Sequence, residues 1–163
     1  MYDESENPAR IFLIILVKIA AAALIITLLF TFLYGAARVS GFAMSPAVKD
    51  GDLVIFYRFA KNRQGDAVIL KSGEIRRVAA GPGDVVDITE SGLIINGALQ
   101  QEPGIFTETA RFTGGIDFPL TVPEGQVFVL ADDRAHDDSR IYGCMANEDI
   151  KGKAMAVMRR RGI

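Results

Sequence analysis

The sequence has little cysteine. Cys144 stands alone, so an intramolecular disulfide is impossible and a zinc site of the multi-cysteine type is excluded. A single thiol leaves the redox compartment unreadable, and its simplest role is that of a small, partly buried apolar residue. An excess of charge of one sign is also lacking, with 18 Lys and Arg against 20 Asp and Glu. A formal net charge of -2 supplies no concentrated basic surface for nucleic acid, so none is expected as a partner. The run Arg159-Arg160-Arg161 reads as a solvated tail. There is no internal repeat, and 163 residues suffice for one membrane segment plus one globular domain, not for two full domains.

A long apolar run is present near the N-terminus. Residues 11–34, "IFLIILVKIAAAALIITLLFTFLY", hold a single charge, Lys18, in 24 positions. As a helix that run is roughly 36 Å long, enough to cross a hydrocarbon core of about 30 Å with some tilt. Asn7-Pro8 suits a helix entry and Gly35 an exit. Lys18 lies about two turns in, close enough to the end for its stem to carry the ammonium to the headgroups. The competing reading is a cleaved signal peptide, with "GAARV" offering small residues for cleavage. The run is longer than an ordinary signal-peptide core and "MYDESENPAR" before it is acidic, which favours an uncleaved anchor. Arg10 and Lys18 on one side balance Arg38 and Lys49 on the other, so charge does not choose the orientation. The chain thus divides into residues 1–10, an anchor over 11–34 and a globular part over 35–163.

In that globular part, "DLVIFYRF", "DAVILK", "DVVDI", "GLIING" and "QVFVLA" are short runs rich in Val, Ile, Phe and Tyr. Gly-Asp, Pro-Gly-Asp, Asn-Gly and Pro-Glu-Gly punctuate them, which predicts a mainly β domain with tight turns and little helix. Asn96-Gly97 suits a type I′ hairpin turn, which needs positive φ at both central residues. Residues 101–121, with Pro103, Gly114-Gly115 and Pro119, read as a loop-rich excursion from the sheet.

Three boxes in order behind one anchor resemble the type I signal peptidase family, membrane-bound serine peptidases of family S26 that use a Ser–Lys dyad. "AMSPAVKDGDLV" is similar to S-M-x-P-T-L followed by G-D-x-V. "GEIRRVAAGPGDVV" is similar to K-R-V-x-G-x-P-G-D. "VPEGQVFVLADDRAHDDSR" is similar to V-P-x-G-x-x-F-V-x-G-D-N-R with D-S-R beyond it. "GLIING" and "IKGKA" also match, so the resemblance covers nearly the whole chain. It implies a signal-peptidase-type antiparallel β domain behind one transmembrane helix. It also implies a cytoplasmic N-terminus, an extracytoplasmic β domain at the cell membrane, and a peptide groove near the bilayer.

The same boxes give residue roles by resemblance. The nucleophile position is Ala43, and a methyl group cannot attack a carbonyl. The general-base position is Arg76. Lysine serves there because burial can free its amine, whereas arginine stays protonated at physiological pH. The groove residues by resemblance are Ser40, Gly41, Phe42, Ala43, Met44, Ile75 and Arg76, with residues 39–42 and 70–75 bordering it and Phe42 and Met44 giving apolar contact. Structural motif residues are Pro46, Gly51, Asp52, Arg77, Pro82, Gly83, Asp84, Asp132, Arg134, Asp138, Ser139 and Arg140. Ala131 and Asp133 stand where the family has Gly and Asn, and residues 134–138 are one residue shorter than usual.

Ser45 would share a face with Ala43 if the strand continued, but Pro46 follows it and no lysine sits at the base position. Ser40 has no better claim. His136 among Asp132, Asp133, Asp137, Asp138 and Ser139 contains the parts of a triad, yet one short loop seldom arranges them, and the acidic spacing matches no EF-hand. Neither metal nor cofactor is expected. The leading reading is a membrane-anchored, catalytically inactive relative that binds secreted or membrane-tethered polypeptides by strand addition. It is similar to the dyad-less proteins that assist pilus assembly in Gram-positive bacteria, with a pilin and a sortase as expected partners. The alternatives are an active signal peptidase, as an engineered variant or with an unconventional nucleophile, and a β domain that binds only itself.

Overall fold

The computed structural model describes residues 8–160. The apolar run folds as one helix, α1 (Pro8–Leu33), 26 residues long, which at 1.5 Å per residue is about 39 Å. None of its residues is buried in the chain, so its apolar surface has no protein cover. That is the condition of a single-pass membrane anchor, for which its length and composition suffice. Thr27 and Thr31 donate their hydroxyls to the carbonyls of Ala23 and Thr27, both at 2.8 Å, so neither polar group needs water. Pro8 sits in the first turn, where its missing N–H costs nothing; Asn7 lies outside the described residues. The helix ends one residue before the expected boundary, and Gly35 belongs to the following strand. A side chain at Gly35 would run into the Phe56 ring, so close approach, not helix termination, explains this glycine.

The chain divides into two units at Tyr34 and Gly35. The second is built from β1 (Tyr34–Arg38), β2 (Leu53–Tyr57), β3 (Ala67–Leu70), β4 (Ile75–Ala80), β5 (Val85–Thr89), β6 (Gly92–Ile95), β7 (Ala98–Leu99), β8 (Leu120–Thr121), β9 (Gln126–Leu130), β10 (Met145–Ala146) and β11 (Ile150–Met158). A short α-helix, α2 (Ser139–Tyr142), and a single 3-10 turn (Asn147–Asp149) interrupt them. A seven-stranded sheet runs β1-β2-β11-β3-β4-β9-β10, and a four-stranded sheet runs β7-β6-β5-β8. Pairings are antiparallel, so the mainly β fold follows the sequence reading.

Alternation along the central strands decides where the core sits. In β9, Val127 and Val129 enter one apolar cluster with Val68, Leu70 and Val78. Phe128 and Leu130 enter another with Val86, Ile88 and Leu93. Successive side chains of a strand point to opposite faces, so a run without polar residues is covered on both. A third cluster joins Val39, Met44, Val48, Val54, Phe56, Ile69 and Ile75 beneath the first box. The predicted hairpin forms between β6 and β7: Asn96 has φ 53° and Gly97 φ 80°, as a type I′ turn requires.

Candidate functional site

The first box is not a strand. Residues 41–47 form successive turns, with Ser45 N–H donating to Phe42 O and Val48 N–H to Met44 O, each at 2.8 Å. The period-two argument that put Ser45 on the face of Ala43 therefore fails. Ser40, Gly41 and Phe42 are exposed, and Gly41 N–H donates to the Asp50 carboxylate at 2.8 Å. Met44 is 2 % exposed and packs in the third cluster with Ile75. It is a core residue, which corrects the expectation of groove contact; an unbranched apolar chain next to Val48 and Val54 gains more by burial than at the surface. Ala43 is half-buried, and its carbonyl accepts from Asp133 N–H at 2.9 Å.

Residues 70–75 also differ from expectation. They are a hairpin turn, closed by Leu70 N–H to Glu74 O at 2.8 Å and Gly73 N–H to Leu70 O at 2.9 Å. Their strands β3 and β4 are interior to the large sheet. An interior strand has spent its ladder groups and cannot accept an added peptide strand. Residue Val39 is likewise engaged, donating to Asp52 O and accepting from Gly51 N–H.

Arg76 and Arg77 follow each other on β4 and so project to opposite faces. Arg77 makes a bidentate pair with Asp132, at 2.7 and 2.5 Å, and donates to Gly65 O at 2.9 Å. The paired carboxylate raises the Arg77 pKa further above its ordinary value, against the opposing effect of burial. Arg76 is 4 % exposed. Its Nη1 donates to Ile75 O at 2.8 Å, and its Nε and Nη2 donate to Asp137 O at 3.2 and 2.9 Å. Nη2 also reaches Glu74 at 3.3 Å. Tyr142 interacts with Arg76: burial raises its phenol pKa, and the Arg76 charge and hydrogen bond work against that rise.

One loop, residues 132–137, connects these positions. Arg77 holds it at Asp132, Ala43 O at Asp133 and Arg76 at Asp137. Arg140 Nη2 adds bonds to the carbonyls of Arg134, at 2.7 Å, and His136, at 3.4 Å. The Asp138 carboxylate anchors Arg140 in turn, at 2.8 and 2.9 Å, and caps α2 through Arg140 N–H at 3.0 Å. Asp138 also accepts from Ala131 N–H, and both members of the pair are buried. Ser139 is buried with its Oγ accepting from Val129 N–H at 3.0 Å, so the triad parts in this segment do not assemble. His136 is partly exposed, and its Nδ1 lies 3.3 Å from Asp133 Oδ2.

The motif residues of the other boxes occupy turns. Asp84 accepts from Gly81 N–H at 2.8 Å across Pro82 and Gly83, whose φ is 84°, and from Asn96 Nδ2 at 2.8 Å. Asp52 accepts from Lys49 N–H at 3.0 Å and from Arg160 N–H at 3.1 Å. The C-terminal basic run is therefore not simply a solvated tail: Arg160 is tied to Asp52 of the first box, while Arg161 lies outside the described residues. The peptide bond between Ser45 and Pro46 is cis.

Two features were missed in the sequence. Arg134 reaches Thr109 Oγ1 at 2.7 Å, Glu102 and the Ala131 carbonyl, which ties the 101–121 excursion to the loop. Arg140 adds a bond to Ala110 O at 3.0 Å and stacks over Phe112 at 4.4 Å. Cys144 is partly buried against the apolar cluster, and burial raises its thiol pKa. Among the described residues, no three His, Cys, Asp or Glu side chains converge to hold a metal ion.

An antiparallel β domain with these boxes arranged about one arginine-clamped loop defines the class as signal-peptidase-like. The family profile described as "Signal peptidase, peptidase S26" matches residues 12–159. Signal peptidase I of Bacillus licheniformis is 31% identical over 159 residues, covering 86% of this chain and 84% of that one. Signal peptidase IB of Staphylococcus aureus strain Mu50 is 27% identical over 161 residues, covering 85% and 84%. A solved signal peptidase I from Enterococcus faecalis is 28% identical, covers 58% of this chain and 97% of its own, and superposes with a TM-score of 0.47. The chain belongs to the peptidase S26 signal peptidase family.

Proposed function

We propose that this chain is a catalytically inactive family member, held in the cell membrane by α1 with its β domain extracytoplasmic. It binds secreted or membrane-tethered polypeptides as a chaperone-like factor in pilus or surface-protein assembly, a pilin being the expected client and a sortase a further partner. The observation that carries this reading is the use made of Arg76. A base must present a free lone pair to the nucleophile's proton. The group at the base position is a guanidinium already donating to two carbonyls and a carboxylate. It acts as a clamp on the 132–137 loop, and the nucleophile position carries only the Ala43 methyl.

With residues 70–75 closed as the hairpin turn between β3 and β4, client contact is assigned to the exposed turn at Ser40, Gly41 and Phe42. Phe42 is 60% exposed and offers an apolar anchor. The test is a photocrosslinking amino acid at Phe42 in the full chain, in native membranes. Crosslinks to polypeptides that retain their N-terminal signal segment support the reading. Crosslinks confined to lipid or to a second copy of this chain contradict it.

A further inference from the structure

Three recesses of the β domain adjoin along residues 101–106. The first, of about 430 Å³, is lined by Pro46 and Ala47 of the first box and by Pro103 and Gly104. The second, of about 300 Å³, is lined by the buried side chains of Val78, Leu93 and Leu130. The third, of about 330 Å³, lies between Glu90 and Ser91 of the β5–β6 turn and Phe106, Thr107 and Glu108. Arg77 and Pro103 line the first and the second, Leu93 and Glu102 the second and the third, and Ile105 all three. Shared walls make them one trough. Neither Ala43 nor Arg76 lines any of the three, so the trough is distinct from the groove implied by the family boxes. The 101–106 wall is held in place, since Glu102 bonds Arg134 and Thr109 and Ile105 N–H donates to Glu102 O at 3.1 Å. A fixed wall loses little conformational freedom on binding.

Charge along the trough identifies the occupant. Its middle is neutral, because Arg77 pairs with Asp132 and Arg134 with Glu102. Its ends are not. At the first-box end Lys49 and Arg159 are exposed, and the acid near them, Asp52, is engaged with the N–H groups of Lys49 and Arg160. At the other end Glu90 and Glu108 are exposed and unpaired among the described residues, and the nearby Arg111 is held by Asp87 at 2.8 Å. We infer that the trough takes an extended polypeptide segment with an acidic residue toward the first box, apolar residues against Leu93, Ile105 and Leu130, and a basic residue toward Phe106. A lone ion would engage one end only. Taken as spheres the recesses are each about 8–9 Å across, so their combined length holds about seven residues of extended chain at roughly 3.3 Å each. This inference rests on the client-binding reading above and adds the chemistry of the client to it.

The experiment titrates the full chain in detergent with heptapeptides blocked at both termini and reads binding by isothermal titration calorimetry. One peptide has aspartate first and lysine last, a second has the two exchanged, and a third has glutamine at both ends; valine and alanine fill the middle of each. One of the two charged peptides should bind about fivefold more tightly than the neutral one, with an advantage that shrinks as salt is added. Exchanging the charges of the trough, with Lys49→Glu, Arg159→Glu, Glu90→Lys and Glu108→Lys together, should transfer the preference to the other charged peptide. The milder pair Glu90→Gln and Glu108→Gln should reduce the original advantage about twofold, while Lys49→Arg with Arg159→Lys retains it. Equal affinity for the three peptides, or an order that neither the fourfold exchange nor the glutamine pair alters, would overturn the inference. So would tighter binding of a peptide with aspartate at both ends, which would assign an anion site, or loss of peptide binding as the chain concentration rises, which would assign the trough to a second copy. Client crosslinks at Phe42 together with charge-blind peptide binding refute the trough alone; the client-binding reading falls only with the Phe42 crosslinks.

Discussion

Replacing Arg76 by Met removes every polar contact of that side chain while keeping its apolar stem. The guanidinium bonds to Ile75 O and Asp137 O sit in a site where the side chain is only 5% exposed. A hydrogen bond from a charged donor contributes about 1.5–3 kcal/mol, and a carbonyl left without its donor costs about 1–3 kcal/mol. The Glu74 contact adds little, because that carboxylate is 53% exposed and screened by water. Taken together, and allowing for the shared acceptor at Asp137, Arg76→Met should lower stability by about 2–4 kcal/mol. Arg76→Lys should lose roughly half as much, since one ammonium can reach one of the two carbonyls. Urea unfolding of the full chain in detergent, followed by tyrosine fluorescence, measures both, and hydrogen exchange at residues 133–138 should quicken selectively. Unfolding midpoints unchanged to within about 0.5 kcal/mol, with exchange as in the unaltered chain, would refute the clamp.

Other substitutions test separate parts of the structure. Asp138→Asn keeps the shape of the α2 cap but leaves the buried Arg140 charge unpaired, and should cost about 3–5 kcal/mol in the same unfolding assay. Gly152→Ala would drive a Cβ into the Tyr57 carbonyl and the Phe56 ring, so it should destabilise by about 1–3 kcal/mol through displacement of β11 from β2. Asp52 is held below the ordinary aspartate range, first by the Lys49 N–H and then by the Arg160 N–H, with burial opposing and the Arg159 and Lys49 charges adding. Its contribution is therefore complete above the ordinary aspartate pKa and is lost as pH falls through the depressed value. Protease clipping of the C-terminal tail should rise over that acidic interval and be pH-independent there in Asp52→Asn; identical pH profiles would remove Asp52 from the tether.

The sequence made some of this legible and concealed the rest for physical reasons. Strands β2, β3, β5, β6 and β9 were readable because their apolar runs end at Gly, Pro or Asn turns. Strand β11 was not read as one, since Lys151, Gly152 and Lys153 break its pattern; only pairing with β2 and β3 shows why Gly152 must lack a side chain. Met44 looked like a groove residue because its neighbours in the motif are functional in the family, while its burial depends on Ile69 and Ile75 from later strands. The site was legible at Ala43 and Arg76 as residue identities, but the clamp was not. Arg76 bonds Asp137 across 61 positions, and Arg134 reaches Thr109 across 25, separations over which no local pattern carries information.

The most direct test of the central claim is hydrolysis itself. The purified full chain is incubated in detergent with a fluorogenic signal-peptide substrate, beside the Arg76→Met variant, and products are identified by mass spectrometry. Catalytic inactivity requires an intact peptide and equal background in both samples. Cleavage at the signal site by the unaltered chain, above the Arg76→Met control, would contradict it.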